Sequence, residues 1–132
     1  MKRKSTPRKK IKKKLELLVK SFVKKRDNYT CQWCRKQVVG ANLHASHVVP
    51  VSQDGRLAYD PINLKSLCFH CHMNKWHKNP IEASRWFLST FPERWVYLEE
   101  QKKINQRLGT IKIDWYEERI KTMELLIKGG VE

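Results

Sequence analysis

Two pairs of cysteines stand at knuckle spacing, Cys31-Gln32-Trp33-Cys34 and Cys68-Phe69-His70-Cys71, with residues 35–67 between them. Each pair offers two thiolates to one ion, and two pairs complete the tetrahedral four-sulfur shell that structural Zn2+ prefers. Disulfides or a redox CxxC are the alternatives, but two matched pairs without an export signal read as metal ligands. His70, inside the second knuckle, is expected outside the shell. Four thiolates leave no open position, so metal-assisted catalysis here would need a second metal. His44, His47, Asn63, His72 and His77 lie between or just after the knuckles. Histidine is the residue type that takes up a proton near neutral pH and also ligates metals.

These groups need elements to hold them. Ile11, Leu15, Leu18, Val19, Phe22 and Val23 form a helical stripe, predicting a first helix from about Ile11 to Lys25. Val38-Val39 and the run Leu43 to Val49 are strand-like and predict a β-hairpin whose second strand carries the histidines. A short helix is expected from Leu67 to about Trp76. Asn79-Pro80-Ile81-Glu82 predicts a capped helix to about Thr90, Pro92 opens another to about Leu108, and Asp114 with Glu117 resembles a capping box for a last helix ended by Gly129-Gly130. Trp115, Ile120, Met123, Leu126 and Ile127 are expected to be packing residues of that helix. The zinc would tie the start of the hairpin to the start of the following helix, closing a long loop in a small domain.

The chain has 132 residues and a formal net charge of +15, from 28 Lys+Arg against 13 Asp+Glu. So one-sided an excess points to a polyanion, with nucleic acid favoured over an anionic membrane surface. Residues 1–14 hold Lys2, Arg3, Lys4, Arg8, Lys9, Lys10, Lys12, Lys13 and Lys14 without an acid, and are expected to be a basic flexible tail interrupted at Thr6-Pro7. No apolar run approaches the roughly 20 residues of a membrane span, and no apolar stretch follows the basic start as in a secretory signal. A cytoplasmic protein, in a host cell if phage-encoded, is expected.

The stretch Leu43-His44-Ala45-Ser46-His47-Val48-Val49-Pro50, then Asn63-Leu64, then Cys71-His72, bracketed by the knuckles, resembles the HNH endonuclease family over about residues 26–78. The resemblance implies an α+β fold. Its centre would be a zinc-stabilised ββα-metal core with an N-terminal helix and additional C-terminal helices. It divides the chain into a tail at 1–14, a nuclease core with zinc knuckles at 15–78 and a helical extension at 79–132. It implies a DNA endonuclease hydrolysing phosphodiesters, with His47 as general base, Asn63 holding the loop or orienting the His47 ring, and His72 ligating one catalytic metal. A neutral imidazole suits the base role. The alternative is a zinc-containing DNA-binding module without catalysis.

The chain departs from the family pattern at two places. Many members place an Asp or His metal ligand directly before the base, where this chain has Ser46; many also have a second helix histidine four residues after the first, where it has Trp76. Ser46, His44 and His77 are therefore further candidate ligands, and so sparse a ligand set suits hydrated Mg2+ or Mn2+ better than a second zinc. Arg26-Asp27, Asn79-Pro80 to Trp86 and the terminal helix look like phage recombination endonucleases of the NinG/Rap type, which implies branched DNA. A symmetric junction would favour a homodimer formed through the C-terminal helices. Lys9, Lys10, Lys12, Lys13, Lys14, Arg35, Lys36, Lys65, Lys75 and Lys78 are candidate phosphate contacts. Most of the five tryptophans are expected in the core, though they could stack on bases.

Overall fold

A computed structural model describes residues 6–129. Helix α1 spans Pro7–Arg26, with Thr6 as its cap accepting the Lys9 N–H and Pro7 in the first turn. The Thr6-Pro7 pair thus starts the helix instead of interrupting it, because proline's missing N–H is one the first turn leaves unbonded anyway. Residues 7–14, expected within a flexible tail, are helical; residues 1–5 of that tail lie outside the described residues. Leu15, Val19 and Val23 are buried along one face of α1, the inward half of the predicted stripe.

The sheet differs from the expected hairpin. Strand β1 (Leu43–His47) pairs antiparallel with β2 (Leu64–Cys68), Leu43 facing Cys68, Ser46 facing Lys65 and His47 facing Leu64. Val38 and Val39 belong to neither strand; a lone bridge between Thr30 and Gln37 closes the knuckle loop there instead. Residues 48–63 form the long loop between the strands, folded into short helical turns at Leu57–Tyr59 and Pro61–Asn63.

Two strands alone are marginal in water, and this pair is covered on both sides. Ala45 and Leu64 pack with the α1 core, which includes Tyr59, Tyr116, Ile120 and Met123. Leu67, alternating to the other face, joins the cysteines and Trp33, Trp76 and Trp86. Arg26 and Asp27 pin α1 to the sheet. The Arg26 guanidinium donates to the Pro61 and Leu64 carbonyls at 2.7 Å each, and the Asp27 carboxylate accepts the Ser66 N–H at 2.9 Å.

After β2 comes a π-helix, Cys71–His77, where a short ordinary helix was expected. Helices α2 (Pro80–Thr90), α3 (Pro92–Gln106) and α4 (Ile113–Lys128) follow. Lys112 occupies the cap position of α4 with Asp114 in its first turn, so the expected capping box does not form; Gly129 ends the helix, and Gly130 is outside the described residues. Helix α4 packs along α1 through Tyr116, Ile120 and Met123, while Leu126 and Ile127 of the predicted packing set stay exposed. The C-terminal extension therefore folds back onto the first helix. Overall this is an α+β arrangement of helices around a small antiparallel sheet, and among the described residues no helix is long and apolar enough to cross a membrane.

Candidate functional site

The four cysteines converge. Their sulfur atoms all lie within 4.8 Å of one another, and Cys34 Sγ and Cys68 Sγ are 3.8 Å apart. A tetrahedral zinc with Zn–S near 2.3 Å has an edge of about 3.8 Å. Arg35 takes a left-handed backbone conformation, φ 67°, directly after Cys34, turning the chain out of the first knuckle. Cys31 and Cys71 are buried, with Cys34 and Cys68 half-buried. Burial alone would raise the Cys31 thiol, but backbone hydrogen bonds at Cys34, Cys68 and Trp33 bring it down to about 7. Burial and the neighbouring thiols push Cys71 up. Four sulfurs so crowded cannot all be thiolates without a cation to share, which is the chemistry of a structural zinc site.

The cleft lies at the His47 end of β1. It encloses about 790 Å³ and is lined by Ser46, His47, the first residues of the following loop, His72, Trp76 and His77, with Lys20 of α1 and Glu99 and Lys102 of α3 at its sides. His47 closes β1, and its Nε2 is 3.0 Å from the Ala58 carbonyl oxygen. A carbonyl only accepts, so Nε2 carries the hydrogen and, in the neutral ring, Nδ1 carries the lone pair. Burial lowers the His47 pKa, opposed in part by the Ala58 hydrogen bond. The ring is thus neutral at neutral pH.

Asn63 is fully buried. Its Oδ1 accepts the Val49 N–H at 2.8 Å, and its Nδ2 donates to the Val49 and Leu57 carbonyls at 3.0 and 2.9 Å. All three bonds go to the loop between the strands. Of the two roles open to Asn63, loop-holding matches this geometry; it makes no hydrogen bond to the His47 ring and instead fixes Val48 and Val49 after His47 and Leu57 before Ala58.

His72 sits on the π-helix with its Nε2 2.9 Å from His77 Nε2 and its Nδ1 2.8 Å from His44 Nδ1. In an α-helix the fourth residue along, Trp76, would lie below His72. The π-helix bonds each N–H one residue further back, so His77 takes that place and Trp76 turns toward the sheet. Two nitrogen ligands at right angles, each about 2.1 Å from an ion, stand about 3.0 Å apart, so the His72–His77 pair fits a divalent cation. Burial, with His77 and His44 nearby, lowers the His72 pKa to about 4, so the ring is neutral, with one N–H and one lone pair.

Ser46 is differently engaged. Lys65, its partner across the ladder, donates from Nζ to Ser46 Oγ at 2.9 Å and to the His47 carbonyl at 3.1 Å, with the Nζ 3.0 Å from the Trp76 ring centroid. An amine at that distance opposes a cation on the same oxygen. Lys65 is 0% exposed, so it cannot make the phosphate contact expected of it; burial pulls its pKa well below the ordinary lysine value.

Of the other candidate cations, Lys9, Lys10, Lys13, Lys14, Arg35, Lys36 and Lys78 are exposed and Lys12 is half-buried, while Lys75 reaches over the Trp33 ring. Trp33 stacks on Trp86 at 4.3 Å, a packing pair of the knuckle cluster. Lys20 and Lys102 at the cleft were not anticipated, and only the packing of α1 and α3 brings them there. The Ala58 carbonyl, a backbone group, has no sequence signal at all.

A family model described as HNH endonuclease matches residues 31–78. Searches of curated proteins and of solved structures returned no match. The matched span runs from the first cysteine past both knuckles, both strands, Asn63 and the π-helix histidines, and over this segment the chain is similar to HNH endonucleases.

Proposed function

We propose that the chain is a metal-dependent DNA endonuclease in which His47 is the general base. The observation that carries this reading is the tautomer of His47. Its Nε2–H is committed to the Ala58 carbonyl at 3.0 Å, which leaves Nδ1 as a proton acceptor in the cleft that His72 and His77 also line. His47 Nδ1 takes a proton from water as the water oxygen bonds to phosphorus; the bond to the 3′ oxygen breaks, and that oxygen is protonated by solvent. Mg2+ or Mn2+, held by His72 and His77, would neutralise charge on the phosphate and the leaving oxygen. Paired imidazoles favour Mn2+ of the two. Asn63 is a positioning residue that fixes the loop. Exposed lysines of α1, with Arg35, Lys36 and Lys78, supply sequence-independent phosphate contacts, so binding weakens steeply with salt.

Branched DNA, of the kind recombination in a phage-infected cell produces, is the substrate we favour, with residues 15–78 as the nuclease core and 79–132 as the extension that completes its cleft. A zinc-containing binding module without catalysis is the second reading, favoured by one observation: Ser46, on the strand side, is tied to Lys65.

The test is cleavage of labelled four-way junction, linear duplex and single-stranded DNA by wild type and His47→Ala. The expected result is metal-dependent cutting, fastest on the junction, reduced roughly 10²–10⁴-fold in the variant with binding retained. Because the His47 pKa is lowered, the acid limb of the pH–rate profile should have its midpoint below 6.5, the ordinary histidine value. Tight binding with no cutting under either metal would favour the binding module, and an unimpaired His47→Ala would remove His47 from the mechanism.

A further inference from the structure

His72 lies between two other imidazoles, one at each of its ring nitrogens. Its Nδ1 is 2.8 Å from His44 Nδ1, and its Nε2 is 2.9 Å from His77 Nε2. A neutral imidazole has one N–H and one lone pair, so each short contact needs a donor on one side and an acceptor on the other. Hydrogen bonds can then run through the three rings in only two directions. In one, His44 donates to His72 and His72 donates to His77. In the other, His77 donates to His72 and His72 donates to His44.

The two directions are not equivalent for a cation. His72 and His77 line the cleft beside His47, and His44 is not part of that lining among the described residues. A cation in the cleft takes the Nε2 lone pairs of both His72 and His77. That requires the hydrogen of His72 to be on Nδ1, donated to His44. The exposed His77 then needs only to move its own hydrogen from Nε2 to Nδ1 as the cation enters, whereas a hydrogen on His72 Nε2 would close the pair whatever His77 did. The His44 ring is held for this task. It stands nearly perpendicular to Phe69 at 5.8 Å and to His72 at 5.0 Å, with interplanar angles of 89° and 82°, and its strand position is fixed opposite Leu67.

We propose that His44 is a positioning residue for His72: its Nδ1 accepts the His72 Nδ1–H, which fixes the tautomer and turns the Nε2 lone pair of His72 into the cleft toward His77. This rests on the reading of His72 and His77 as the cation-holding pair, and makes His44 the outer partner of that pair and not a ligand. Outer partners of metal-bound histidines act this way in general, orienting the ring and raising its basicity.

The experiment compares wild type, His44→Leu and His44→Asn, each with its zinc in place and no other divalent metal. Asn presents an oxygen acceptor near the position of His Nδ1, whereas Leu has similar bulk and no acceptor. Side-chain 1H–15N correlation spectra at pH about 8, above the ordinary histidine range, read the tautomer directly. The expected result is Nδ1–H at His72 in wild type and His44→Asn, and a shift to Nε2–H in His44→Leu. Mn2+ titration of the same samples should show affinity lowered about 10-fold or more in His44→Leu and restored in His44→Asn. An Nε2–H tautomer in wild type, or one unchanged in His44→Leu, overturns the proposal. Wild type that shows the expected tautomer but binds no Mn2+ would leave His44 in its place and defeat the metal-site reading instead.

Discussion

The chain gathers residues of metal-ligating type in two places, built in opposite ways. Four cysteines share one small volume, with all their sulfurs within 4.8 Å and two of the four residues buried. Three histidines form a row instead, their nitrogens meeting two at a time, and the row opens at one end into a cleft of about 790 Å³. The first arrangement has a full shell and no room for a substrate. The second has few ligands and an open side. A full shell can hold a fold together, and an open one can exchange water and bind a phosphate. On the proposed function, the knuckles serve stability and the cleft serves chemistry.

The largest effect expected from breaking this contrast is at the knuckles. Cys31→Ser should abolish cooperative folding, because zinc binding in such sites contributes on the order of 10 kcal/mol to folding. Far-ultraviolet circular dichroism melts with zinc quantification would show a broad transition and substoichiometric zinc. A well-folded, zinc-free Cys31→Ser would mean that the helices suffice without the ion.

Asn63→Ala comes next. It leaves the Val49 N–H and the Val49 and Leu57 carbonyls without their partner in a buried loop, costing about 2–4 kcal/mol. Thermal denaturation measures that loss. Because the loop also carries the Ala58 carbonyl that orients His47, cleavage should fall in the variant even at temperatures where it is folded. Loss of stability with unchanged cleavage would confine Asn63 to the fold.

The parts of this site that are written in local sequence were legible, and the parts set by long-range register were not. Both knuckles follow from residue type and spacing, whereas the His47, Asn63 and His72 set is reached only through the resemblance to the HNH family. The helix α1 was visible from its stripe, but its start was misplaced, since Thr6-Pro7 is equally a break and a beginning. The hairpin partner of β1 was misassigned to Val38-Val39 because β-branched neighbours nearby look the same as a true partner; the real one, Leu64–Cys68, is reached across a loop whose folding depends on Asn63. Trp76 stands at the expected ligand position, and the π-helix that instead brings the candidate His77 beside His72 is not announced by periodicity. Lys65 looked like any surface lysine. Only the ladder, which places it opposite Ser46, makes it a buried amine.

That amine gives the smallest and sharpest prediction. Its pKa is lowered by burial from the ordinary 10.5, so the unfolded chain holds the Lys65 proton more tightly than the folded one. Stability that depends on Lys65 therefore rises with pH, from the folded pKa up to about 10.5, by at most about 1.4 kcal/mol per pH unit. Urea denaturation of wild type and Lys65→Met across alkaline pH should show wild type gaining on the variant over that window, since the other titrating groups are common to both. A constant difference would mean that Lys65 keeps its proton in the fold.

The most direct test of the division between knuckles and cleft is brief EDTA treatment followed by parallel measurement of zinc content, folding and DNA cleavage. The division predicts one zinc per chain retained and the fold unchanged, with cleavage lost and then restored by Mn2+ or Mg2+ alone. Cleavage that persists in EDTA with only the knuckle zinc present, or that returns only when zinc is added back, would contradict it.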